Sequence, residues 1–451
     1  MKIFFVVIWA VVFTKLFVFW VWLWQLKEYH WGRFKAHFET QARRKFLFSF
    51  HGIRYPKLTS KTIVILVCGA IIEFFIIIYS YPLAWFDFFF FYIVIIVLTP
   101  LITSLIVLFF QIPTALLIKR SLRLAAIKRN KMKNLIVIGV TGSYGKTSVK
   151  EFLALFLGEK YKVLKTRKHI NSEVGIANTI LNDLKPEHEF LVAEIGAYER
   201  GKIKQVCNMI NPQIGVLTGI NEQHMSTFGS QENIIKAKHE LLDCLPKDGF
   251  FITKDNLTLI PEKITVNKES LSFYVKGIEF KADLLGSHNI NNILLAAQCA
   301  EKLGVPLEKM AEACIEIKPE QGGMSFLKKE NPVILNASYS ANPDGVIADL
   351  EYLSNYKGKK IIVMPCLIEL GSSAKRVHKT IAKKIAEVCD LAIITTQDYY
   401  QDLKSSKTVL VENADSIMDK IQEHCLNTDV ILLEGRVPRK LIALLKKVYV
   451  D

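Results

Sequence analysis

From Phe88 to Gln111 the chain runs for 24 residues without a charged side chain, and a helix needs only about 20 such residues to cross a bilayer. A stretch this apolar must be covered on every side, by protein or by lipid. Two more runs precede it. Ile3–Leu26 is broken only by Thr14, Lys15 and Gln25 and carries Trp9, Trp20, Trp22 and Trp24, and a further run covers Ile63–Tyr81. The first is too long for a secretory signal, and the polar, bulky Gln25–Arg33 that follows offers no small-residue cleavage site. Three transmembrane helices are therefore predicted, at about 3–26, 63–81 and 85–110, inside a membrane domain of residues 1–133. Beyond Pro113 the chain stays apolar to Ile118, which predicts an interfacial helix over 112–128 with Lys119, Arg120 and Arg123 at the headgroups. Lys15 and Glu73 fall near the middle of neighbouring spans and are expected to pair, with snorkelling of Lys15 to the interface as the alternative.

Charge is distributed as unevenly as hydropathy. The net formal charge is +15, yet residues 1–133 alone hold 18 Lys/Arg against 4 Asp/Glu, and the remainder is almost neutral. The basicity belongs to the membrane-proximal part, so a nucleic-acid partner loses its main support. Nine bases and two acids lie at 27–61, seven bases and no acid at 119–133, and only Asp87 is charged within 80–87. Basic loops stay cytoplasmic. The N-terminus and the 80–87 turn are then outside and everything after 119 inside, as in a multi-pass protein of the inner or plasma membrane with the rest of the chain cytoplasmic. A fourth span made by splitting 85–118 would reverse that bias. The eight cysteines form no CxxC pair, which argues against a zinc site or a disulfide scaffold and fits a reducing compartment.

Residue 134 begins a chain of different character. Leu135–Val140 reads as a buried parallel strand, Thr141-Gly-Ser-Tyr-Gly-Lys-Thr-Ser148 as a glycine loop, and Val149–Leu157 as a helix. Strand, loop and helix in that order is the setting of a phosphate loop: backbone N–H groups converge on phosphate oxygens, Lys146 neutralises charge and Thr147 reaches Mg²⁺. A chance glycine turn is the bland alternative, and the GxxxxGK spacing is broken because Val140 stands at the first glycine. The strand 189–193 delivers Glu194 to its carboxyl end, where a carboxylate would face a metal–phosphate site. Strand 214–218 is followed by Asn221 and His224, then Lys238, then Gly286-Ser-His-Asn-Ile-Asn-Asn292, which opens a helix at Ile293–Leu303. Strands at 331–336, 360–364, 391–395, 407–411 and 429–433 alternate with helices at 343–355, 375–389, 414–424 and 438–448, a βαβ rhythm.

TGSYGKTS, INSEVG at 170–175, AEIGA, INEQHMSTFGS with AKHELL, GSHNINN, SYSANPD and ELG at 369–371 together resemble the Mur ligase family, most nearly its MurF branch. The similarity covers about 134–451. It implies a central P-loop ATPase domain at 134–318, a Rossmann-like C-terminal domain at 319–451, and ATP-dependent amide synthesis through an acyl phosphate. Position by position, it implies that Thr141, Gly142, Ser143, Tyr144, Gly145, Lys146, Thr147, Ser148, Asn289 and Asn292 bind ATP. It also implies Thr147, Glu194 and His224 as Mg²⁺ ligands, and Lys146, His224 and Lys238 as the catalytic set. Lys238 matches a lysine that some members carbamylate. Asn171, Ser172, Tyr339 and Asn342 are implied at the substrate, a cell-envelope precursor carboxylate joined to an amino acid or dipeptide amine.

The chain departs from the family pattern in the C-terminal half. Gly323 stands where an Arg follows the glycine aligned with Gly322, Asn336 and Ala337 replace an Asp pair, and Glu434-Gly-Arg436 replaces KGS. The family's N-terminal UDP-binding domain is expected to be replaced by the membrane spans. Without that pocket, and with the ATPase starting about 16 residues after Ile118, a lipid-linked acceptor at the membrane is the sharper of two expectations; the other is that the basic residues only orient the spans and the acceptor is UDP-linked. A non-catalytic nucleotide-binding subunit of an envelope complex is the alternative, and a transporter fits poorly.

Overall fold

The computed structural model describes residues 2–36, 55–318, 323–339, 341–426 and 429–450. Arg43, Arg44, Lys45 and Arg54 of the basic loop, Gly322 and Ser340 lie outside these. The chain divides into two compact units, Met1–Arg120 and Ser121–Asp451.

The first unit holds α1 (Lys2–Leu26), α2 (Trp31–Ala36), α3 (Ser60–Ser80), α4 (Trp85–Phe109) and the start of α5 (Gln111–Asn130). Three helices, Lys2–Leu26, Ser60–Ser80 and the continuous Trp85–Asn130, are long and apolar enough to cross a membrane. The expected segment 112–128 is thus helical and follows α4 almost directly. On α1, Trp9, Phe13, Phe17, Trp20 and Trp24 recur at helical spacing and are buried against the other helices. Two of the buried indoles are hydrogen-bonded: Trp9 Nε1 donates to the Tyr92 carbonyl at 3.1 Å and Trp24 Nε1 to Ser104 Oγ at 3.0 Å. α1 and α3 are antiparallel. Lys2 Nζ reaches the Leu83 carbonyl at 2.7 Å at one end, and Gln25 Nε2 reaches Thr62 Oγ1 at 2.9 Å at the other. Between them Gly69 lets the helices close on Phe17, whose ring would sit 2.3 Å from an added Cβ. The expected Lys15–Glu73 pair does not form. Thr14 Oγ1 donates to Glu73 at 2.9 and 3.1 Å instead, because one residue further turns Lys15 about 100° around the helix.

In the second unit β1 (Ile136–Thr141), β2 (Val163–Lys165), β3 (Phe190–Glu194), β4 (Ile214–Leu217) and β5 (Phe250–Thr253) form one parallel sheet in the order β2-β3-β1-β4-β5. Buried on both faces, β1, β3 and β4 read as unbroken apolar runs. Helices α6 (Lys146–Gly158), α7 (Glu173–Asp183), α8 (Lys202–Ile210), α9 (Met225–Phe228) and α10 (Gln231–Asp243) connect the strands. An antiparallel meander follows, β6 (Glu262–Val266), β7 (Leu271–Val275) and β8 (Ile278–Ala282), then α11 (His288–Lys302) and α12 (Leu307–Cys314). The meander and α12 had no counterpart in the sequence reading.

The last part carries β9 (Ser325–Lys328), β10 (Val333–Ala337), α13 (Pro343–Leu353), β11 (Lys360–Met364), α14 (Ala374–Val388), β12 (Leu391–Ile394), α15 (Tyr400–Leu403), β13 (Thr408–Leu410), α16 (Ala414–His424), β14 (Val430–Glu434) and α17 (Arg439–Tyr449). Its sheet runs β13-β12-β11-β14-β10-β9, parallel except for β9. The predicted βαβ rhythm is present; the short edge strand β9 and the one-turn helix α15 were not anticipated.

Candidate active site

In the first sheet β1 lies between β3 and β4, so the loops leaving the carboxyl ends of these three strands meet in one crevice. The loop after β1 is pinned from both sides. Thr141 Oγ1 donates to the Ile195 carbonyl at 2.9 Å, and Ser143 N to the Gly219 carbonyl at 2.6 Å. Gly142 cannot carry a side chain, since a Cβ would fall 2.1 Å from Thr218 Oγ1. Gly145 holds φ +73 at the start of α6, with Asn292 Oδ1 2.7 Å from where its Cβ would be. Asn292 Nδ2 in turn donates to Asn289 Oδ1 at 3.2 Å, and Asn289, fully buried, donates to the Leu285 carbonyl at 2.9 Å. Asn292 therefore borders the loop, and Asn289 supports it from beneath. Tyr144 lies against Gly219, and Ser148 is buried in the first turn of α6.

Three lysines gather at this loop. Lys146 Nζ folds back onto the carbonyls of Gly142 and Ser143 at 2.9 and 3.1 Å. Burial pushes its ammonium below the usual lysine range, with Glu194 pulling the other way. Lys238 on α10 is 3% exposed and makes no ion pair among the described residues. Burial, then the nearby Lys146, lower it to about 7. Lys150, one turn beyond Lys146, is wholly buried and bridges Glu151 at 3.1 Å and Glu194 at 3.4 Å.

Glu194, at the end of β3, is the carboxylate on which the rest converges. It accepts from Thr147 Oγ1 at 3.0 Å and from Asn171 Nδ2 at 3.1 Å. Gly196 makes room for Asn171, which would lie 2.9 Å from an added Cβ. Asn171 thus orients Glu194, while Ser172 caps α7 by accepting from Gly175 N at 3.3 Å. His169 sits 3.4 Å from Thr147 Oγ1 and stacks on Tyr339 with ring centres 3.7 Å apart.

The C-terminal part closes over the loops after β4. His224, at φ +65, shares a 2.7 Å hydrogen bond between Nδ1 and Glu369 Oε2. Burial lowers its pKa despite that carboxylate, so the neutral ring donates from Nδ1 and keeps Nε2 as a lone-pair acceptor. Asn221 Nδ2 donates to Asn342 Oδ1 at 2.8 Å and to Asp344 Oδ2 at 3.1 Å, and Arg376 pairs with Glu222. Asn342 also caps α13 by accepting from Gly345 N at 3.1 Å. The carboxyl ends of β10 and β14 are register partners at Ala337 and Glu434. Glu434 is 1% exposed and hydrogen-bonded to Asp349, and burial together with that neighbour pushes its carboxyl well above the usual range. Glu434 Oε2 and the nearby His288 Nδ1 have no hydrogen-bond partner among the described residues.

Thus Thr141–Ser148, Glu194, Lys238, Asn292 and Asn171 are brought together, with Tyr339 at the edge through His169. For magnesium, the oxygens of Thr147 and Glu194 fit a hard cation that keeps waters and phosphates as its other ligands. The described residues contain no group of three His, Cys, Asp or Glu placed to hold a metal, and His224 has Nδ1 committed to Glu369. The sequence reading did not single out Lys150, His169 or Glu369. Lys150 was detectable, four residues after Lys146 and so on the same helix face. Glu369 stands in the ELG run at 369–371, but its pairing with His224 lies 145 residues away, and the contact of His169 with Thr147 spans 22, so neither role was legible locally.

A parallel sheet whose central strand ends in a glycine loop and lysine-led helix, joined to a second parallel sheet that covers the crevice, is the construction of Mur ligases. The Mur ligase middle domain matches residues 140–274, and the Mur ligase, glutamate ligase domain matches residues 323–437. The chain belongs to the Mur ligase family. It is 30% identical over 269 residues to the UDP-N-acetylmuramoyl-tripeptide--D-alanyl-D-alanine ligase of Bacillus subtilis, covering 54% of this chain and 58% of that one. With the ligase of the same name from Escherichia coli it is 27% identical over 272 residues, 54% of this chain and 60% of the other. The chain thus spans under two thirds of these relatives. MurF from Acinetobacter baumannii shares the fold with a TM-score of 0.68 at 24% identity, over 72% of this chain and 80% of that one. MurF from Thermotoga maritima in complex with ADP does so at 0.65 and 24%, over 73% and 84%.

Proposed function

We propose that this chain is a membrane-anchored, ATP-dependent amide ligase of cell-envelope precursor synthesis, of the MurF kind. One observation carries the reading: Lys146 and Lys238, both desolvated, with Lys146 lowering the proton affinity of Lys238, flank a glycine loop with Glu194 close by. Two ammonium groups so placed are stabilised by an anion between them, and a triphosphate entering the loop supplies one. Thr141–Ser148 cradle the phosphates as a P-loop, with Asn292 behind Gly145. Thr147 and Glu194 hold Mg²⁺, which when bound neutralises phosphate charge.

An acceptor carboxylate oxygen attacks the γ-phosphorus and ADP leaves, giving an acyl phosphate. An amine then attacks the acyl carbon, loses a proton and displaces phosphate. Lys146 follows the transferring charge, and its present hold on two loop carbonyls is exchanged for phosphate oxygens. Lys238, with a neutral fraction near pH 7, is suited to carbamylation, which would turn a repelled cation into an anion beside Lys146. His224, held by Glu369, and Tyr339 and Asn342, on the Rossmann-like domain, lie on the substrate side.

The apolar helices support a multi-pass inner or plasma membrane protein with its α/β domains cytoplasmic, as the basic segments at 27–61 and 119–133 require. Those bases favour an anionic, lipid-linked acceptor over a soluble one. The competing reading, a nucleotide-binding subunit without ligase chemistry, draws on Ala337 and Glu434. The test supplies full-length protein in vesicles with ATP, D-Ala-D-Ala and a tripeptide acceptor, either UDP-linked or polyprenyl-linked. Amide product should form one-for-one with ADP, faster on the lipid-linked acceptor. Nucleotide binding with no product from either acceptor would support the subunit reading.

A further inference from the structure

The membrane-facing surface of the first unit carries a polar feature that its own core does not use. Lys15 is the one charged residue between Ile3 and Leu26, and Glu73 the one between Thr62 and Phe86. Both lie within about 5 Å of the midpoints of α1 and α3 at 1.5 Å rise per residue. The Thr14–Glu73 hydrogen bonds set the two helices in register, so Lys15, the next residue on α1, lies at nearly the same depth as Glu73. Yet the two do not pair. Lys15 makes no ion pair among the described residues, and Glu73 is held only by a hydroxyl. Near the same depth on the two helices Val11, Val67 and Phe74 are 64, 53 and 60% exposed. An acid and a base at one depth of a bilayer, unpaired among the described residues and flanked by apolar side chains, are costly in hydrocarbon and face a partner as a rule.

We infer that this surface of α1 and α3 joins two copies of the chain, Lys15 of each protomer pairing with Glu73 of the other. The charge pattern is self-complementary. A two-fold axis along the bilayer normal keeps each residue at its own depth, brings equal depths together and preserves one insertion topology in both copies. It therefore forms the pair twice. A different membrane protein would have to bring an acid and a base of its own at the same depth.

The inference rests on the membrane-anchored reading, and the experiment separates the two. Donor- and acceptor-labelled full-length protein is reconstituted at low density into phosphatidylethanolamine–phosphatidylglycerol vesicles, insertion is checked by alkaline extraction, and self-association is read by energy transfer. Wild type should associate. Lys15→Met and Glu73→Gln, neutral changes that a bilayer accepts more readily than either charge, should each weaken association at least tenfold. The charge reversals Lys15→Glu and Glu73→Lys should each abolish it alone. Mixed with each other they should recover it, because each reversed residue then meets its opposite on the partner. Inserted wild type that stays monomeric overturns the inference, as does association unaffected by the neutral changes. Recovery in the doubly reversed chain but not in the mixture would show pairing within one chain, and also overturns it. Wild type that fails to insert overturns the membrane reading itself.

Discussion

In the middle part of the α/β unit, β1 ends in a loop ringed by Lys146, Lys150 and Lys238; in the C-terminal part, β10 and β14 end at Ala337 and Glu434, with Asp349 beside them. Both are parallel sheets with their crevices at the strand carboxyl ends, and they differ in the sign of what they bury. The first buries bases with too few acids, and the second buries two carboxyls that share a hydrogen bond. Bases in excess await an anion, whereas two carboxyls that share a hydrogen bond already partner each other. Phosphate chemistry therefore belongs to the middle part, and the C-terminal part contributes closure through Glu369, Asn342 and Arg376.

The sharpest break of that contrast is Lys146→Ala. Its charge follows the transferring phosphoryl group, so ATP turnover should fall about a thousandfold while the protein still folds and inserts. Turnover near that of wild type would remove the phosphate-loop reading. A smaller effect separates Glu194 from His224. Glu194→Gln should raise the Mg²⁺ concentration for half-maximal turnover about tenfold, because it weakens an oxygen ligand. His224→Ala should leave that titration in place and lower turnover by loosening the Glu369 contact; an equal Mg²⁺ shift in both would make the imidazole a ligand after all.

On the C-terminal side the contrast predicts structural rather than chemical effects. Glu434→Gln keeps a donor for Asp349 and should change stability by less than about 1 kcal/mol. Glu434→Ala leaves Asp349 buried alone and should cost about 1–3 kcal/mol by denaturant unfolding, with nucleotide affinity unaltered. The smallest effect is a pH slope from Lys238. Its folded-state pKa of about 7 lies below the usual 10.5, so between those values the unfolded chain holds more protons and stability rises with pH. The slope reaches at most about 1.4 kcal/mol per pH unit and is absent below pH 7. Lys238→Met should flatten hydrogen-exchange protection of α10 against pH across that window, and a slope surviving the substitution would assign it elsewhere.

Much of this arrangement was legible because it is local. The strand, glycine loop and helix around Lys146 lie within some two dozen consecutive residues, and buried parallel strands announce themselves as apolar runs. Three long apolar helices were legible for the same reason, although the third runs on through α5 to Asn130. What stayed hidden is what depends on side-chain direction or on distant partners. Thr14 rather than Lys15 meets Glu73, a matter of 100° of helix rotation. Ser172 and Asn342, expected at the substrate, also cap helices, a role that short polar residues before a helix take independently of any ligand. The meander at 262–282 was missed because β6 is almost wholly exposed and lacks an apolar alternation to betray it.

The account turns on a phosphoryl group passing from ATP to a carboxylate at the Lys146 loop. It is tested most directly by labelling that carboxylate with ¹⁸O in a tripeptide acceptor and following the released phosphate by mass spectrometry. Acyl-phosphate ligation predicts one ¹⁸O in each phosphate, with label transfer lost in Lys146→Ala. Phosphate released without label would mean that water takes the phosphoryl group, and would contradict ligation at this site.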